Sequence, residues 1–420
     1  DPVYAMDFEG DFGSEDRELV LADIDGDGAP DLLAASGGVE LESGDAFLSD
    51  RVYRNDGSGD FLRDRDAGFS EPAAPTHCLA AADFDRDGDP DVFAGGGPEP
   101  ARYPYAAPSA LWVNREGRLV RAEESVAPGL RSAGIVRDAT WADIDGDGDP
   151  DLVLAREWDA PMLWINREGR LVPQADAFDA TADAGLWSAV AAADLDGDGR
   201  PDLVMGNLGR NTEYRASATE PIKLWASPNP AGEVKLIETR VIDGAEYTRE
   251  VLWRLRSGFP REMRPIRTYA QFAASTFDEL FPRVRKSGYT VRGASELRTG
   301  VFWQEEDGTF TFTPLPAFAQ SGRVLALLVD DLDADGRDDV IASLEPLSPE
   351  PWTGRFEPGH VGVFLNRGNR RFETLLPRGS GLGLSGSPRG LAIGDLDANG
   401  RRELVIVLSE GMPRVFEENR

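Results

Sequence analysis

The sequence is poor in cysteine, histidine and lysine, and each shortage excludes a class of protein. A single cysteine, Cys78, rules out an internal disulfide framework. Two histidines, His77 and His360, are too few for a site in which three histidines hold a zinc ion. Only three lysines accompany forty-one arginines, and the net charge is -31. Nucleic acid is therefore not an expected partner, because its affinity comes from basic side chains that neutralise phosphates.

Long apolar runs are also missing. No stretch approaches the roughly 18 consecutive apolar residues that a membrane-spanning helix needs, so no membrane insertion is expected. A secretory signal segment is not visible either. Since the chain begins at Asp1 without a methionine, we expect that an upstream segment preceded it. The composition, with 41% hydrophobic residues, is that of a folded protein.

Aspartate is the residue that the sequence has in excess, and it is concentrated in short loops. The stretch "WADIDGDGDPDLVLA" (Trp141–Ala155) places five aspartates within nine residues, directly before an apolar run. Counted from Asp143 as position 1, acids occupy positions 1, 3, 5 and 9, and glycine occupies position 6. The residue at position 7 can offer its main-chain carbonyl. Oxygen ligands at this spacing suit a hard cation, above all calcium.

The same loop occurs six times, and we number the copies acidic loops 1 to 6. An EF-hand is the nearest alternative, but it requires an acid at position 12 and flanking helices. Position 12 is never acidic here, and short runs with β-branched residues flank the loops, which favours strands. A single copy could be a solvated turn, whereas six copies in one sequence context favour cation sites. The predicted ligands are Asp23, Asp25, Asp27, Ala29 and Asp31; Asp83, Asp85, Asp87, Asp89 and Asp91; Asp143, Asp145, Asp147, Asp149 and Asp151; Asp194, Asp196, Asp198, Arg200 and Asp202; Asp331, Asp333, Asp335, Arg337 and Asp339; Asp395, Asp397, Asn399, Arg401 and Glu403.

The spacing of the loops predicts a repeat architecture. Successive loops start 60, 60, 51, 137 and 64 residues apart, and the longest gap fits two units of which one has lost its loop. Each unit contains a strand of small residues, the acidic loop, an apolar strand and a closing hairpin such as "LWINREGRLV" at 163–172. Four strands per unit, repeated radially, are typical of a propeller blade. We therefore predict an all-β fold, a seven-bladed β-propeller with four-stranded blades that forms a single domain over 1–420.

The ends and one internal segment need separate predictions. Pro2–Phe8 is predicted to add a strand to the last blade and so to protect its open edge. A helix-containing insertion is predicted at 241–299, in the fifth blade region, because Arg267–Phe281 has helical apolar spacing. Lys235–Trp253 predicts a hairpin around Asp243-Gly244. The segment 222–236 either closes the fourth blade or opens the fifth, and the sequence leaves both alternatives open.

These motifs carry a family resemblance. "ADIDGDGDPDLVLA" together with "LWINREGRL" resembles the FG-GAP/VCBS repeats of integrin-α-like β-propellers. "GNLGRNTEY" (Gly206–Tyr214) and "YAQFAASTFDELF" are similar to bacterial VCBS-repeat proteins of the cartilage acidic protein and UnbV group. The resemblance implies a calcium-binding propeller with an adhesion, lectin, enzyme-accessory or scaffold role. It also implies a blade with its own loop near 222–236, but carboxylates are missing there, so no cation is expected at that segment.

The function predicted from these features is binding. About six structural Ca²⁺ ions would stabilise the protein where calcium is millimolar, so we expect a secreted, periplasmic or cell-surface location. Loops on the face opposite the calcium sites would recognise a protein or a glycan, with a monomer or a surface assembly as the functional form. Candidate ligand contacts are the aromatic residues of those loops: Tyr103, Tyr105, Trp158, Tyr214 and Trp352.

Two other functions stay open at this stage. A polysaccharide-active enzyme would need an acidic, aromatic-lined pocket at the ring centre, and a scaffold subunit would need a broad contact surface. His77 beside Cys78 is a conceivable nucleophile and base, but neighbours on a strand point to opposite faces, which favours a structural role. No catalytic residue is predicted.

Overall fold

The computed structural model describes residues 14–69, 73–228, 234–345, 359–384, 386–396, 399–409 and 411–417. In that part of the chain, antiparallel strands form seven sheets, and helices are few and short. The predicted all-β class is confirmed. Pro2–Phe8, with its predicted added strand, lies outside the described residues.

The first three sheets follow one plan, in which each strand pairs with the next strand along the chain. The first sheet contains β1 (Glu15–Ala22), β2 (Asp31–Gly37), β3 (Arg51–Asn55) and β4 (Phe61–Asp64). The second contains β5 (Thr76–Ala82), β6 (Asp91–Gly96), β7 (Ala110–Asn114) and β8 (Leu119–Arg121). The third contains β9 (Ile135–Ala142), β10 (Asp151–Asp159), β11 (Met162–Asn166) and β12 (Leu171–Pro173), and β13 (Gly185–Leu186) pairs with the far end of β10.

The fourth sheet is interrupted by an inserted unit. Its first two strands are β14 (Ala189–Ala193) and β15 (Asp202–Gly206). The chain then forms the inserted sheet, with β16 (Ile222–Ala226), β17 (Leu236–Ile242), β18 (Ala245–Thr248) and β19 (Thr290–Ala294). Between β18 and β19 lie α1 (Leu252–Gly258), α2 (Tyr269–Ala274) and α3 (Phe277–Leu280). The chain returns to the fourth sheet with β20 (Gly300–Gln304), which pairs with β15, and β21 (Phe310–Pro314).

Two sheets complete the described chain. The fifth contains β22 (Arg323–Asp330), β23 (Asp339–Glu345), β24 (His360–Asn366) and β25 (Phe372–Leu375), and is followed by α4 (Pro377–Ser380). The sixth contains β26 (Pro388–Gly394), β27 (Glu403–Leu408) and β28 (Arg414–Glu417).

The first strands of the six sheets contact one another in chain order. β1 lies beside β5, β5 beside β9, β9 beside β14, β14 beside β22, and β22 beside β26. Alanines in β5 and β14 permit this close approach. Large side chains fill the space between neighbouring sheets: Trp164 joins a core shared by the second and third sheets, and Phe302 joins one shared by the third and fourth. The core is thus a series of apolar layers between sheets.

The prediction of seven blades is not confirmed. The gap of 137 residues between acidic loops 4 and 5 was interpreted as two consecutive repeats, but β20 pairs with β15, so the strands on both sides of the inserted unit belong to the fourth sheet. The segment 222–236 neither closes the fourth sheet nor opens a serial fifth one. Its strand β16 pairs with β17 and β19 inside the inserted sheet. The insertion therefore begins before 241 and contains a sheet as well as helices.

Local predictions within the insertion can be compared with the structure directly. The hairpin around Asp243-Gly244 is confirmed: β17 pairs with β18, and both turn residues have positive φ, 50° and 76°. The single helix predicted over Arg267–Phe281 is two helices, α2 and α3. Thr276 separates them because its side chain accepts the N–H of Glu279 while the Glu279 carboxylate accepts the N–H of Thr276, a capping box that starts a new helix.

Five of the six serial first strands contain a β-bulge near their beginning. The pairing register shifts across Arg17 in β1, His77 in β5, Arg137 in β9 and Arg389 in β26, and a corresponding shift occurs early in β22. A bulge inserts an extra residue and redirects its side chain. The repeated bulges thus gather basic side chains at one end of the series of strands.

Two partly buried carboxyl groups connect first strands just beyond these bulges. Glu18 accepts the N–H of Leu79 at 2.8 Å, and Asp138 accepts the N–H of Val190 at 2.7 Å. Burial raises the pKa of Glu18 to about 8, with a further contribution from the charge of Asp138, and burial raises the pKa of Asp138 to about 7. Both groups therefore retain a proton at mildly acidic pH.

We expect the free energy of unfolding to fall as pH rises from 6 to 8 and to level off above pH 8. The folded state holds these protons, whereas the unfolded chain releases them near about pH 4, so the stabilisation is complete below that pH and is lost progressively until pH passes the folded-state pKa values of about 7 and about 8. Linkage gives about 1.4 kcal/mol per pH unit while a group holds its proton, so about two units for Glu18 and about one for Asp138 amount to roughly 4 kcal/mol between pH 6 and 8. Urea unfolding at several pH values measures the slope. Glu18→Gln, which is permanently neutral, should reduce it, and an unchanged slope would refute the assignment.

Candidate metal sites

The six acidic loops share one backbone geometry. In every loop the position-1 carboxylate accepts the N–H of the position-6 glycine, at 2.8–3.0 Å. These glycines have φ between +82° and +98°, the left-handed region that a residue without Cβ adopts readily. The position-5 side chain accepts the N–H of position 7 at 2.8–3.1 Å. The backbone of each loop is therefore held in place by N–H groups that donate to carboxylate or amide oxygens of the same loop.

Five loops bring three carboxylates together. In each group, one oxygen from every member lies within 4.8 Å of the others. The groups are Asp23, Asp25 and Asp27; Asp83, Asp85 and Asp91; Asp143, Asp145 and Asp151; Asp194, Asp196 and Asp202; and Asp331, Asp333 and Asp339. In loop 6, Asp397 lies outside the described residues, so the geometry of that site remains a prediction.

Several carboxylate oxygens in these groups are buried without a donor. They are Oδ1 of Asp83 and Asp143, at position 1, and Oδ1 of Asp85 and Asp196, at position 3; within the described chain none has a hydrogen-bond partner. A buried carboxylate oxygen without a partner is costly. A divalent cation at the centre of the loop would be bound by these oxygens, so the residues present fit calcium.

The position-9 acid has a second role that the spacing did not reveal. In loop 3, Asp151 accepts the N–H of Ile144 at 2.7 Å and the N–H of Asn166 at 2.7 Å. The matching acids, with an amide residue of the third strand, repeat both bonds in loops 1, 2, 4 and 5: Asp31 with Asn55, Asp91 with Asn114, Asp202 with Gln304 and Asp339 with Asn366. The position-9 carboxylate is thus a buried hydrogen-bond centre that joins the loop to the third strand.

The amide side chains of these third strands link neighbouring sheets. Asn114 donates to the carbonyl of Ile24 in the preceding loop at 2.8 Å, and Asn166 donates to that of Phe84 at 2.6 Å. The pattern continues with Gln304 to Ile144 and Asn366 to Leu195, at 2.8 and 2.7 Å. We call this series the amide relay. It ties each of acidic loops 1 to 4 to the next sheet in the series.

Arginines compensate part of the loop charge. Arg115 lies 2.8 Å from Asp87, and Arg367 lies 2.8 Å from Asp333. Arg167 pairs with Asp145 and Asp147. These guanidinium groups bind the position-3 and position-5 carboxylates from the outside, while the orphaned oxygens of positions 1 and 3 remain buried. The pairs therefore reduce repulsion between the carboxylates within each loop without replacing a central ion.

Four of the five aromatic residues predicted to contact a ligand pack within the structure. Tyr103 donates its hydroxyl to Glu157 at 2.7 Å and accepts the indole N–H of Trp158, which is 4% exposed. Tyr214 donates to Glu238 at 2.9 Å, beneath Arg249. The Tyr105 hydroxyl lies 3.3 Å from the Ser227 carbonyl oxygen and from Thr290 Oγ1. The Tyr103 contacts join the second sheet to the third, the Tyr105 contacts join the second sheet to the inserted sheet, and the Tyr214 contact lies within the inserted segment. Trp352 lies outside the described residues.

His77 and Cys78 do not form a catalytic pair. Cys78 is 1% exposed and packs in the core near Val136, and burial raises the pKa of its thiol well above the ordinary value. His77 instead lines a cavity together with Arg137. The two side chains occupy different environments, as the alternation of strand residues predicted.

A protein-family model describes the same repeats. The model is that of the FG-GAP-like repeat, and it matches residues 23–94, 143–205 and 292–342, which include acidic loops 1 to 5. The chain contains FG-GAP-like repeats. Cartilage acidic protein 1 is a distant homologue: the mouse and the human protein are each 29% identical to this chain over 175 residues. That alignment covers 40% of this chain and 25% of each relative, so the chain spans only a fraction of their length.

The matches among solved structures are looser. The V. cholerae biofilm matrix protein Bap1 is 14% identical, with a TM-score of 0.35 over 96% of this chain and 69% of that one. The Dos1 propeller is 10% identical, with a TM-score of 0.41 over 96% and 78%. At these scores the likenesses are too loose to assign a function. Among the described residues, none of the helices combines the length and the hydropathy that crossing a membrane requires.

Proposed function

We propose that this chain is a calcium-stabilised β-propeller that binds a protein or a glycan outside the cytoplasm. The six serial sheets would be its blades, with the first strands around the axis. The observation that carries the proposal is the set of buried, unpartnered carboxylate oxygens repeated in the acidic loops. A bound cation would give these oxygens the partner that burial otherwise denies them, and sites of this kind in extracellular modules have dissociation constants of roughly 0.1–1 mM.

The binding surface would lie at the end of the sheets opposite the acidic loops. Each acidic loop joins the first strand of its sheet to the second, whereas the connections between second and third strands differ from sheet to sheet. Here the inserted sheet packs against the second and third sheets. Binding sites are usually formed by variable loops that a rigid scaffold holds in place, and the repeated sheets with their variable connections at one end match that arrangement.

Binding is favoured over hydrolysis of polysaccharides. The alternative requires an acidic pocket at the centre, with two carboxyl groups flanking the scissile bond. The cavity at this end is lined instead by Arg17, His77 and Arg137, and Glu99, the one carboxylate among the described residues of its lining, is bound by Arg102 at 2.6 Å. A scaffold role in a surface assembly remains compatible with this geometry.

Binding to an array of glycans and to an extracellular protein library, in millimolar calcium and again in EGTA, tests the proposal. We expect a discrete set of ligands that is lost in EGTA, because the strands supporting the surface depend on the calcium loops. The control is the same protein returned to calcium, in which binding should recover. A protein that binds no partner in calcium, or binds equally in EGTA, would refute the proposal.

A further inference from the structure

A cavity of about 620 Å³ lies between the beginnings of the first strands and the inserted sheet. This volume is within the range of small-molecule sites, roughly 300–1,000 Å³. The acidic loops are at the other end of the strands. The cavity therefore belongs to the proposed binding face and is separate from the calcium sites.

Three β-bulges supply the basic groups of this cavity. Arg17, His77 and Arg137 are the extra residues of their strands, and all three line the cavity. Arg137 Nη1 lies 3.5 Å from the His77 ring nitrogens. At Gly37 an added Cβ would lie 2.6 Å from Cγ of Arg17, so the glycine provides the room for that side chain. The bulges and the glycine together build a cationic wall.

Each arginine of this wall has one carboxylate partner, and a further arginine lies behind the wall. Arg17 pairs at 2.8 Å with Glu15, a rim residue whose side chain is 48% exposed, and Arg137 pairs with Glu157. Behind them, at the start of β22, Nε of Arg323 is buried with no partner among the residues that the structure describes. Burial lowers the pKa of His77 well below its ordinary value, and Arg137, Arg17 and Arg323 lower it further. The imidazole is thus neutral in a positive environment.

The inserted segment carries a net positive charge, like the cationic wall of the cavity. Between β15 and β20, residues 207–299 contain 16 basic and 11 acidic residues, including all three lysines of the chain. The rest of the chain contains 28 basic and 64 acidic residues, so a net charge of +5 contrasts with one of -36. Such an asymmetry indicates an anionic partner on the basic side.

The other lining residues indicate the chemistry of the rest of the ligand, beyond its anionic group. Apolar surface comes from Pro75, Pro98, Val39, Val234 and Leu236. Glu99, whose charge Arg102 compensates at 2.6 Å, can accept a hydrogen bond from a hydroxyl group. The cavity therefore combines a cationic wall, apolar sides and a carboxylate that can accept hydrogen bonds. These features fit a sugar ring that carries one carboxylate.

We propose that this cavity binds a carboxylate-bearing sugar, a uronate unit of an acidic glycan. The carboxylate would lie against Arg17 and Arg137, and the carbon face of the ring would lie against the apolar walls. Arginine suits this role because its planar guanidinium group can donate two parallel hydrogen bonds to a carboxylate. The inference rests on the proposed binding function and names its ligand class.

Isothermal titration with a galacturonate trisaccharide in millimolar calcium tests the inference. The methyl-esterified trisaccharide is the matched probe, because it keeps the shape and loses the charge. We expect the acid to bind at least tenfold more tightly than the ester, since a hydrogen bond to a charged group corresponds to about a tenfold to hundredfold change. Arg17→Gln should weaken binding of the acid by at least tenfold.

Two further variants test whether the ligand binds in this cavity and whether the loss of one positive charge elsewhere has the same effect. Gly97→Leu should abolish binding by filling the cavity, because a Cβ there meets Pro75 and His77 only at ordinary contact distances of 3.4–3.5 Å. Arg118→Gln makes the same charge change on an exposed arginine outside the cavity lining and should leave binding unchanged. Each variant should keep the calcium-dependent melting temperature of the parent protein.

The possible results separate this inference from the proposed function. Equal binding of acid and ester, unchanged binding by Arg17→Gln, or a preference for a peptide carboxylate would overturn the uronate assignment, while a calcium-stabilised protein would still bind another ligand. A parent protein that calcium does not stabilise would instead overturn the proposed function.

Discussion

Removal of calcium with EGTA is expected to lower the free energy of unfolding by roughly 3–9 kcal/mol. Each site with a dissociation constant of about 0.1–1 mM contributes on the order of 0.5–1.5 kcal/mol at millimolar calcium, and six sites are predicted. The sum is comparable to the whole stability of an ordinary domain. Differential scanning calorimetry with added calcium, with EGTA and after calcium is restored measures the effect.

Two comparisons make the calcium experiment specific. Magnesium at the same concentration should stabilise the protein less, because it requires a tighter octahedral set of oxygens than these loops offer. Asp145→Ala, which removes a position-3 ligand, should destabilise the protein in calcium and have little effect in EGTA. A melting temperature that does not respond to calcium would refute the assignment of the acidic loops.

Asp151→Ala is expected to destabilise the protein by about 3–5 kcal/mol, in EGTA as well as in calcium. The substitution leaves the buried N–H groups of Ile144 and Asn166 without their acceptor, and an unsatisfied buried group costs about 1–3 kcal/mol. It also opens a gap beneath the third strand. Urea unfolding of the variant and the parent, at one pH and in both conditions, gives the difference.

The isosteric change Asp151→Asn is the matched control. Its amide oxygen can still accept one of the two N–H groups, so the loss in EGTA should be about half that of the alanine variant. If Asp151→Ala were harmless in EGTA, position 9 would act only as a calcium ligand, and the hydrogen-bond role assigned to it would be wrong.

The parts of the fold that could be predicted from sequence are those set by short-range pattern. The spacing of acids and glycine around Asp143 predicted the loop, because each hydrogen bond in it spans only a few residues. Strand and hairpin boundaries followed from alternation and from turn residues such as Asp243-Gly244. The spacing also indicated that carboxylates of one loop converge, and three do so in each of acidic loops 1 to 5: positions 1, 3 and 5 in loop 1, and positions 1, 3 and 9 in loops 2 to 5.

The parts that could not be predicted depend on pairing between distant residues. No local sequence pattern shows that β20 pairs with β15 across the insertion, so the long gap between acidic loops 4 and 5 was interpreted as two repeats. The β-bulges at Arg17, His77 and Arg137 depend on the register of the neighbouring strand. One signal was present and missed: all three lysines lie within 207–299, which marks that segment as chemically distinct from the acidic repeats.

The amide relay has a consequence for how the ions would bind. The main-chain N–H of Asn166 donates to Asp151 in its own sheet, and the side-chain amide of Asn166 donates to the Phe84 carbonyl oxygen in the preceding acidic loop. Ordering of one loop therefore favours the bound conformation of its neighbour, as in a row of coupled two-state elements. Calcium binding to the sites would be cooperative, with a Hill coefficient above one. A substitution that disorders one sheet would destabilise the two neighbouring sheets before the others.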